Sequence, residues 1–103
     1  LKARSLFDAW VCNEDVVRGK PDPQVYLLAG ERVHTPPSAC LVLEDAVAGV
    51  EGAKRAGMAC LAITSNHSRA ALARADIIVD SLETVTPAII RDVIRRVNAG
   101  DGR

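Results

Sequence analysis

The feature that most constrains this chain is a repeated alternation of short apolar runs with segments that carry helix punctuation. Ala39-Cys40-Leu41-Val42-Leu43, Met58-Ala59-Cys60-Leu61-Ala62-Ile63 and Ile77-Ile78-Val79 show no wet face. Strands covered on both sides read this way, and parallel sheets are built of them. A further run over 6–11 reads as a strand diluted by Asp8 and Ala9. Between the runs, Asp22-Pro23 offers a cap and then a proline where its missing N–H costs nothing, opening a helix to about Val33. Residues 46–56 read as a second helix that Gly57 closes in the left-handed conformation. A shorter helix is expected over 68–74. Thr86-Pro87 opens a last one to about Val97, with Ile89, Ile90, Val93, Ile94 and Val97 as its apolar stripe. Residues 98–103 read as a flexible tail. Strand–helix alternation of this kind specifies an α/β domain with a mostly parallel sheet.

Composition narrows the partners. At 103 residues there is one core, or part of one, and 1–103 reads as a single layered unit. Thirteen Lys+Arg balance thirteen Asp+Glu, which removes the electrostatic basis for binding nucleic acid or an anionic membrane. Aromatic residues make up 3%, too few for a base-stacking platform, and no apolar run reaches the roughly 20 residues of a membrane span. Cys12, Cys40 and Cys60 are odd in number, lack CxxC spacing and sit in or beside apolar runs. They read as buried reduced thiols, which favours the cytoplasm.

Ligands of an open parallel sheet collect beyond the carboxyl ends of its strands. Glu44 and Asp45 stand where one apolar run ends and a helix begins. Either they serve the helix, Asp45 as cap and Glu44 against its dipole, or they hold a cation. Two adjacent carboxylates repel unless a proton or cation intervenes, and hard oxygen ligands suit Mg²⁺. The helix that follows is small-faced at Ala46, Ala48, Gly49, Gly52, Ala53 and Ala56, as expected for close approach to the sheet or an open site mouth at Gly49. Arg18-Gly19-Lys20-Pro21-Asp22-Pro23 is a stiff loop before a helix. There Lys20 is either a solvated turn residue or a fixed point charge for a phosphate oxygen. His34 and His67 have no ligand-spaced partner, no serine sits in a Gly-x-Ser-x-Gly elbow, and Asp76 and Asp80 are expected to serve turns.

Taken together, Gly19-Lys20-Pro21-Asp22-Pro23 with Val25-Tyr26, and Val42-Leu43-Glu44-Asp45-Ala46-Val47-Ala48-Gly49-Val50 ending in Ala56-Gly57, resemble two motifs of one family. They are similar to the third and fourth motifs of the haloacid dehalogenase-like (HAD) hydrolases, in the phosphatase and β-phosphoglucomutase-like subfamily. Ala75-Asp76-Ile77-Ile78-Val79-Asp80-Ser81-Leu82 resembles that subfamily's closing strand and turn, so the likeness runs from about residue 6 to 90.

The resemblance implies a three-layer, Rossmann-like core and Mg²⁺-dependent phosphoryl transfer on a small phosphorylated metabolite through an aspartyl-phosphate. It makes Lys20 the catalytic lysine that binds the phosphoryl group, and Glu44 and Asp45 the metal-binding pair, with Asp45 catalytic as the direct ligand. The family's Asp-x-Asp nucleophile motif has no counterpart here, and neither has its second-motif Ser or Thr or its cap. The chain therefore reads as the C-terminal part of such a core, expected to be inactive alone. Its incomplete sheet would leave edges unpaired, rearrange or pair with another chain. The competing expectation is a non-catalytic binding or assembly module.

Overall fold

A computed structural model describes residues 15–100. Its sheet has three strands, β1 (Leu41–Glu44), β2 (Ala59–Ile63) and β3 (Ile77–Val79), in the order β1-β2-β3. Both pairings are parallel, with Leu41 opposite Ala59 and Leu61 opposite Ile77. Helices α1 (Gln24–Arg32), α2 (Val47–Arg55) and α3 (Pro87–Ala99) complete the element order, with short 3₁₀ turns at Pro37–Ala39 and Leu82–Thr84. The expected strand over 6–11 and Cys12 lie outside the described residues.

The central strand explains the layers. Apolar along its length, β2 buries Ala59, Cys60, Leu61 and Ala62 to 3% exposure or less. Successive strand residues face opposite sides. Cys60 and Ala62 join Val42, Val50, Ala53, Ala56, Met58 and Leu72 in one cluster, roofed by α2. Leu61 turns to the other face, where α3 packs against β2 and Val93 is buried. Fully burying a leucine contributes about 1.5–3 kcal/mol, so Leu61 and Leu72, both at 0% exposure, anchor the two sides.

The helix termini follow the punctuation with adjustments. The α3 cap forms as expected, with the Thr86 hydroxyl accepting from Ile89 N–H at 3.2 Å. Gly57 has φ +77° and closes α2: its N–H reaches the Lys54 carbonyl, and Met58 N–H reaches that of Ala53. At α1 the capping residue is Pro23, and Asp22 serves from one position earlier, its Oδ1 accepting from Gln24 N–H at 2.9 Å.

Three expectations are corrected. Asp45 does not cap α2, whose cap residue is Ala46 with no side-chain bond. The helix expected over 68–74 is a run of turns. Ser68 bonds locally to Ala71 N–H, Leu72 N–H is shared between the Ser68 and Arg69 carbonyls, and Arg69 is drawn off to Ile78 and Asp80. Local serine bonding and side-chain ties of this kind compete with a helical ladder. Asn98 and Ala99, expected in the tail, belong instead to α3, which runs to Ala99, and Asn98 Nδ2 donates to the Ser38 carbonyl at 2.6 Å.

Candidate active site

Parallel pairing puts the carboxyl ends of β1 and β2 side by side, with Glu44 opposite Ala62. The chain leaves β1 at Glu44 and meets the loop that precedes α1. Lys20 Nζ stands 3.1 Å from Glu44 Oε2, across 24 residues of sequence. The Tyr26 hydroxyl donates to the same oxygen at 2.6 Å, and Lys20 Nζ lies 5.4 Å from the Tyr26 ring centroid. Glu44 Oε1 accepts from the backbone N–H of Asp45 at 3.1 Å and of Ala46 at 3.3 Å. The Glu44 carboxylate thus has four donors and is 10% exposed, whereas the Lys20 side chain is 42% exposed.

Electrostatics follow from these contacts. Burial pushes the Glu44 carboxyl upward, but hydrogen bonds from Tyr26 and Lys20, the lysine charge and Asp45 N–H together hold its pKa below the ordinary value. The Tyr26 phenol is driven strongly upward, first by burial and then by the Glu44 carboxylate that accepts its proton. It remains a donor across the physiological range.

Asp45 points elsewhere. Its Oδ2 accepts from Asn66 Nδ2 at 2.9 Å and from Ser65 Oγ at 3.4 Å, both on the loop after β2. That loop is fastened by Asp80, whose Oδ1 accepts from Thr64 Oγ1 at 2.7 Å and whose Oδ2 accepts from Arg69 at 3.2 Å. Leu43, Glu44, Asp45, Ile63, Ser65 and Leu82 line a cavity of about 220 Å³ at this strand end.

Each acid has its own hydrogen-bond donors: Glu44 meets an ammonium and a phenol, and Asp45 an amide and a hydroxyl. Among the described residues no group of three His, Cys, Asp or Glu is gathered to hold a metal. Among the described residues Asp45 Oδ1 accepts no hydrogen bond, which leaves one hard oxygen of the donor type that suits Mg²⁺.

Of the two reasons expected for the small face of α2, close approach to the sheet holds, since Ala53 and Ala56 pack with Val42, Cys60 and Ala62, and Gly49 meets Glu44 at the end of β1. A Cβ at position 49 would overlap the Glu44 Cγ, Cδ and Oε2, so the absent side chain makes room for that carboxylate rather than for an open mouth. A Cβ at position 52 would stand 3.1 Å from Tyr26 Cε2 and 3.4 Å from the Pro21 carbonyl. The glycines receive Glu44, Tyr26 and the lysine loop, while Val50, Ala53 and Ala56 join the core cluster.

The sequence reading brought Lys20, Glu44 and Asp45 to one strand end, and the structure places them there. It quoted Tyr26 beside the lysine loop without a role, and gave none to Ser65 or Asn66. Tyr26 lies on the α1 turn next to the lysine loop, a positional signal that was available; Ser65 and Asn66 follow β2 with no pattern to mark them. His34 and His67 are exposed. Cys40 and Cys60 are free thiols, Cys60 wholly buried and Cys40 half-buried. Asp76 ties Lys54 Nζ at 2.7 Å and Cys60 N–H at 2.8 Å, more of a core fastening than the turn role expected.

The chain is similar to known proteins in sequence and in fold. The chain is 44% identical over 85 residues to validoxylamine A 7'-phosphate phosphatase of Streptomyces hygroscopicus subsp. limoneus, covering 82% of this chain and 40% of that protein. It is 37% identical over 79 residues to hexitol phosphatase A of Escherichia coli, covering 77% of this chain and 37% of the relative. The structure of CbbY from Rhodobacter sphaeroides in complex with phosphate matches with a TM-score of 0.76 at 31% identity, covering 86% of this chain and 40% of that one. The chain thus spans about two fifths of the length of these relatives. A family model described as haloacid dehalogenase-like hydrolase matches residues 1–57, which contain the lysine loop, α1, β1 and all of α2. With more than half of its residues matched by that family model, the chain belongs to the haloacid dehalogenase-like hydrolases.

Proposed function

We propose that this chain carries the lysine-and-acid part of a Mg²⁺-dependent phosphatase or phosphomutase site acting on a small phosphorylated metabolite. The observation that carries the reading is the Lys20–Glu44 contact at 3.1 Å, beside an Asp45 with one unengaged oxygen. The chemistry fits that pairing. Phosphoryl transfer has a metaphosphate-like transition state with charge spread over the equatorial oxygens, and catalysis is mostly positioned positive charge. Lys20 supplies one such charge on a stem that reaches solvent, so its ammonium binds a phosphoryl oxygen. Asp45 would hold the Mg²⁺, which supplies charge neutralisation at the phosphoryl group when bound. The expectation that Glu44 ligates the metal as well is narrowed here, because its four donors suit the task of holding Lys20.

The aspartyl nucleophile comes from residues outside this sequence, since no Asp-x-Asp is present. The metal shell is completed in the same way, and residues 1–103 form part of one core whose sheet takes further strands from the rest of the protein or from another chain. Among the described residues no helix is long and apolar enough to cross a membrane.

Calorimetric titration of the 103-residue chain with Mg²⁺ tests the metal role, with heat expected for the native sequence and lost in Asp45→Asn. Inorganic phosphate binding is expected to weaken in Lys20→Ala. The chain alone is expected to leave a generic aryl phosphate intact. Turnover that disappears on changing Lys20 or Asp45 would place the nucleophile inside these residues and overturn this division of labour.

A further inference from the structure

Glu44 is usefully placed only if its carboxylate is held in one orientation, and the Lys20 side chain is too exposed to do this by itself. A lysine–carboxylate pair at the surface contributes about 0–1 kcal/mol, and a four-carbon stem gives the ammonium wide freedom. The backbone N–H groups of Asp45 and Ala46 hold Oε1, which leaves Oε2 and the ammonium on it to be fixed. The half-buried Tyr26 hydroxyl gives the shortest hydrogen bond to the carboxylate, 2.6 Å against 3.1 Å for Lys20, on the same Oε2. Its ring also passes under the ammonium at 5.4 Å, within the roughly 6 Å over which a cation is attracted to an aromatic face. The ring cannot back away without losing its seat, because it lies against Gly52, where a Cβ would come to 3.1 Å.

We infer that Tyr26 is a positioning residue for Lys20. Its hydroxyl locks Glu44 Oε2 in the one place where the carboxylate directs the ammonium toward the strand-end site, and its ring closes the side away from solvent. Gly49 and Gly52, one helical turn apart on α2, form the floor that admits the carboxylate and the ring. What Lys20 then binds rests on the phosphoryl-transfer reading. That Tyr26 holds Lys20 does not.

The test records the lysine ammonium ¹H–¹⁵N correlations of the full 103-residue chain at low temperature and mildly acidic pH. Lys54 is the internal control, since its Nζ is held by Asp76 at 2.7 Å and by the Met58 carbonyl at 3.2 Å. In the native sequence, Lys20 and Lys54 are both expected to give exchange-protected signals. In Tyr26→Phe, which keeps the ring on Gly52 and removes only the hydroxyl, the Lys20 signal is expected to vanish while that of Lys54 stays. A Lys20 signal unchanged in Tyr26→Phe overturns the inference. Joint loss of both signals also overturns it, because Tyr26 then supports the fold and not the lysine. So does the absence of a protected Lys20 signal in the native chain.

A second arm separates this from the functional reading. Titration with inorganic phosphate is expected to require about tenfold more ligand in Tyr26→Phe, the worth of one hydrogen bond to a charged group. If phosphate fails to bind the native chain while the Lys20 signal still depends on Tyr26, the positioning role stands and the phosphoryl reading falls. If phosphate binds both forms equally while the Lys20 signal depends on Tyr26, the positioning role stands and the claim that Lys20 binds the phosphoryl group falls.

Discussion

Replacing Gly49 with alanine sets helix propensity against the Glu44 carboxylate, and the magnitudes decide the sign. Alanine in a helix interior is worth about 1 kcal/mol over glycine. The new methyl group, however, would occupy the space of Glu44 Cγ, Cδ and Oε2. These atoms belong to a movable side chain, so the carboxylate swings away and the backbone stays. The half-buried Tyr26 hydroxyl then loses its acceptor, which costs about 1–3 kcal/mol. Loss of the partly exposed Lys20 pair adds no more than about 1 kcal/mol. The net expectation is a destabilisation of about 1–2 kcal/mol, or a fall in Tm of several degrees for a chain of this size. In a Glu44→Ala background the same substitution meets no carboxylate and should stabilise by about 1 kcal/mol. Urea denaturation of the four variants, followed by circular dichroism, gives the coupling directly, expected at about 2–3 kcal/mol. If Gly49→Ala has the same sign and size in both backgrounds, Glu44 does not fill that space and the argument fails.

Two other perturbations probe the core beneath the site. Asp76→Ala leaves Cys60 N–H and Lys54 Nζ without their shared acceptor and should cost about 2–4 kcal/mol in urea denaturation, with phosphate affinity of the folded chain unchanged; a loss under about 0.5 kcal/mol would show the fastening to be idle. Burial, reinforced by the Asp76 charge against the opposing Lys54, pushes the Cys60 thiol up to about 12, whereas an unfolded thiol titrates near ~8.5. A pKa raised by folding stabilises fully below the unfolded value and is lost as pH rises toward the folded one. Stability should therefore fall from about pH 8.5 upward, by up to about 1.4 kcal/mol per pH unit. The urea midpoint of Cys60→Ala should lack that component, and parallel pH curves for the two proteins would discard it.

Local chemistry made much of this chain legible. The apolar runs announced β1, β2 and β3 because a strand buried on both faces has no room for polar alternation. Thr86-Pro87 and Gly57 marked helix ends because a capping hydroxyl and a left-handed residue act within a few positions of themselves. Lys20, Glu44 and Asp45 were visible as candidates because a stiff loop and a strand end are where charge can be held in place. The segment over 68–74 was misread because Arg69 finds its partners in and beyond β3, at Ile78 and Asp80, which no local pattern reveals.

Tertiary structure alone decided how the acids divide. By sequence Glu44 and Asp45 are adjacent acids open to two readings, serving the helix (Asp45 as cap, Glu44 against its dipole) or holding a cation. Folding brought Lys20 and Tyr26 to Glu44, and Asn66 to Asp45, from 18 to 24 residues away. It also gave Gly49 and Gly52 their meaning, since the space above a glycine has no value until a partner from elsewhere in the chain occupies it. Short-range rules set where strands and helices begin and end. Which charge meets which is a property of the parallel register between β1 and β2 and of the loop that α1 presents across them.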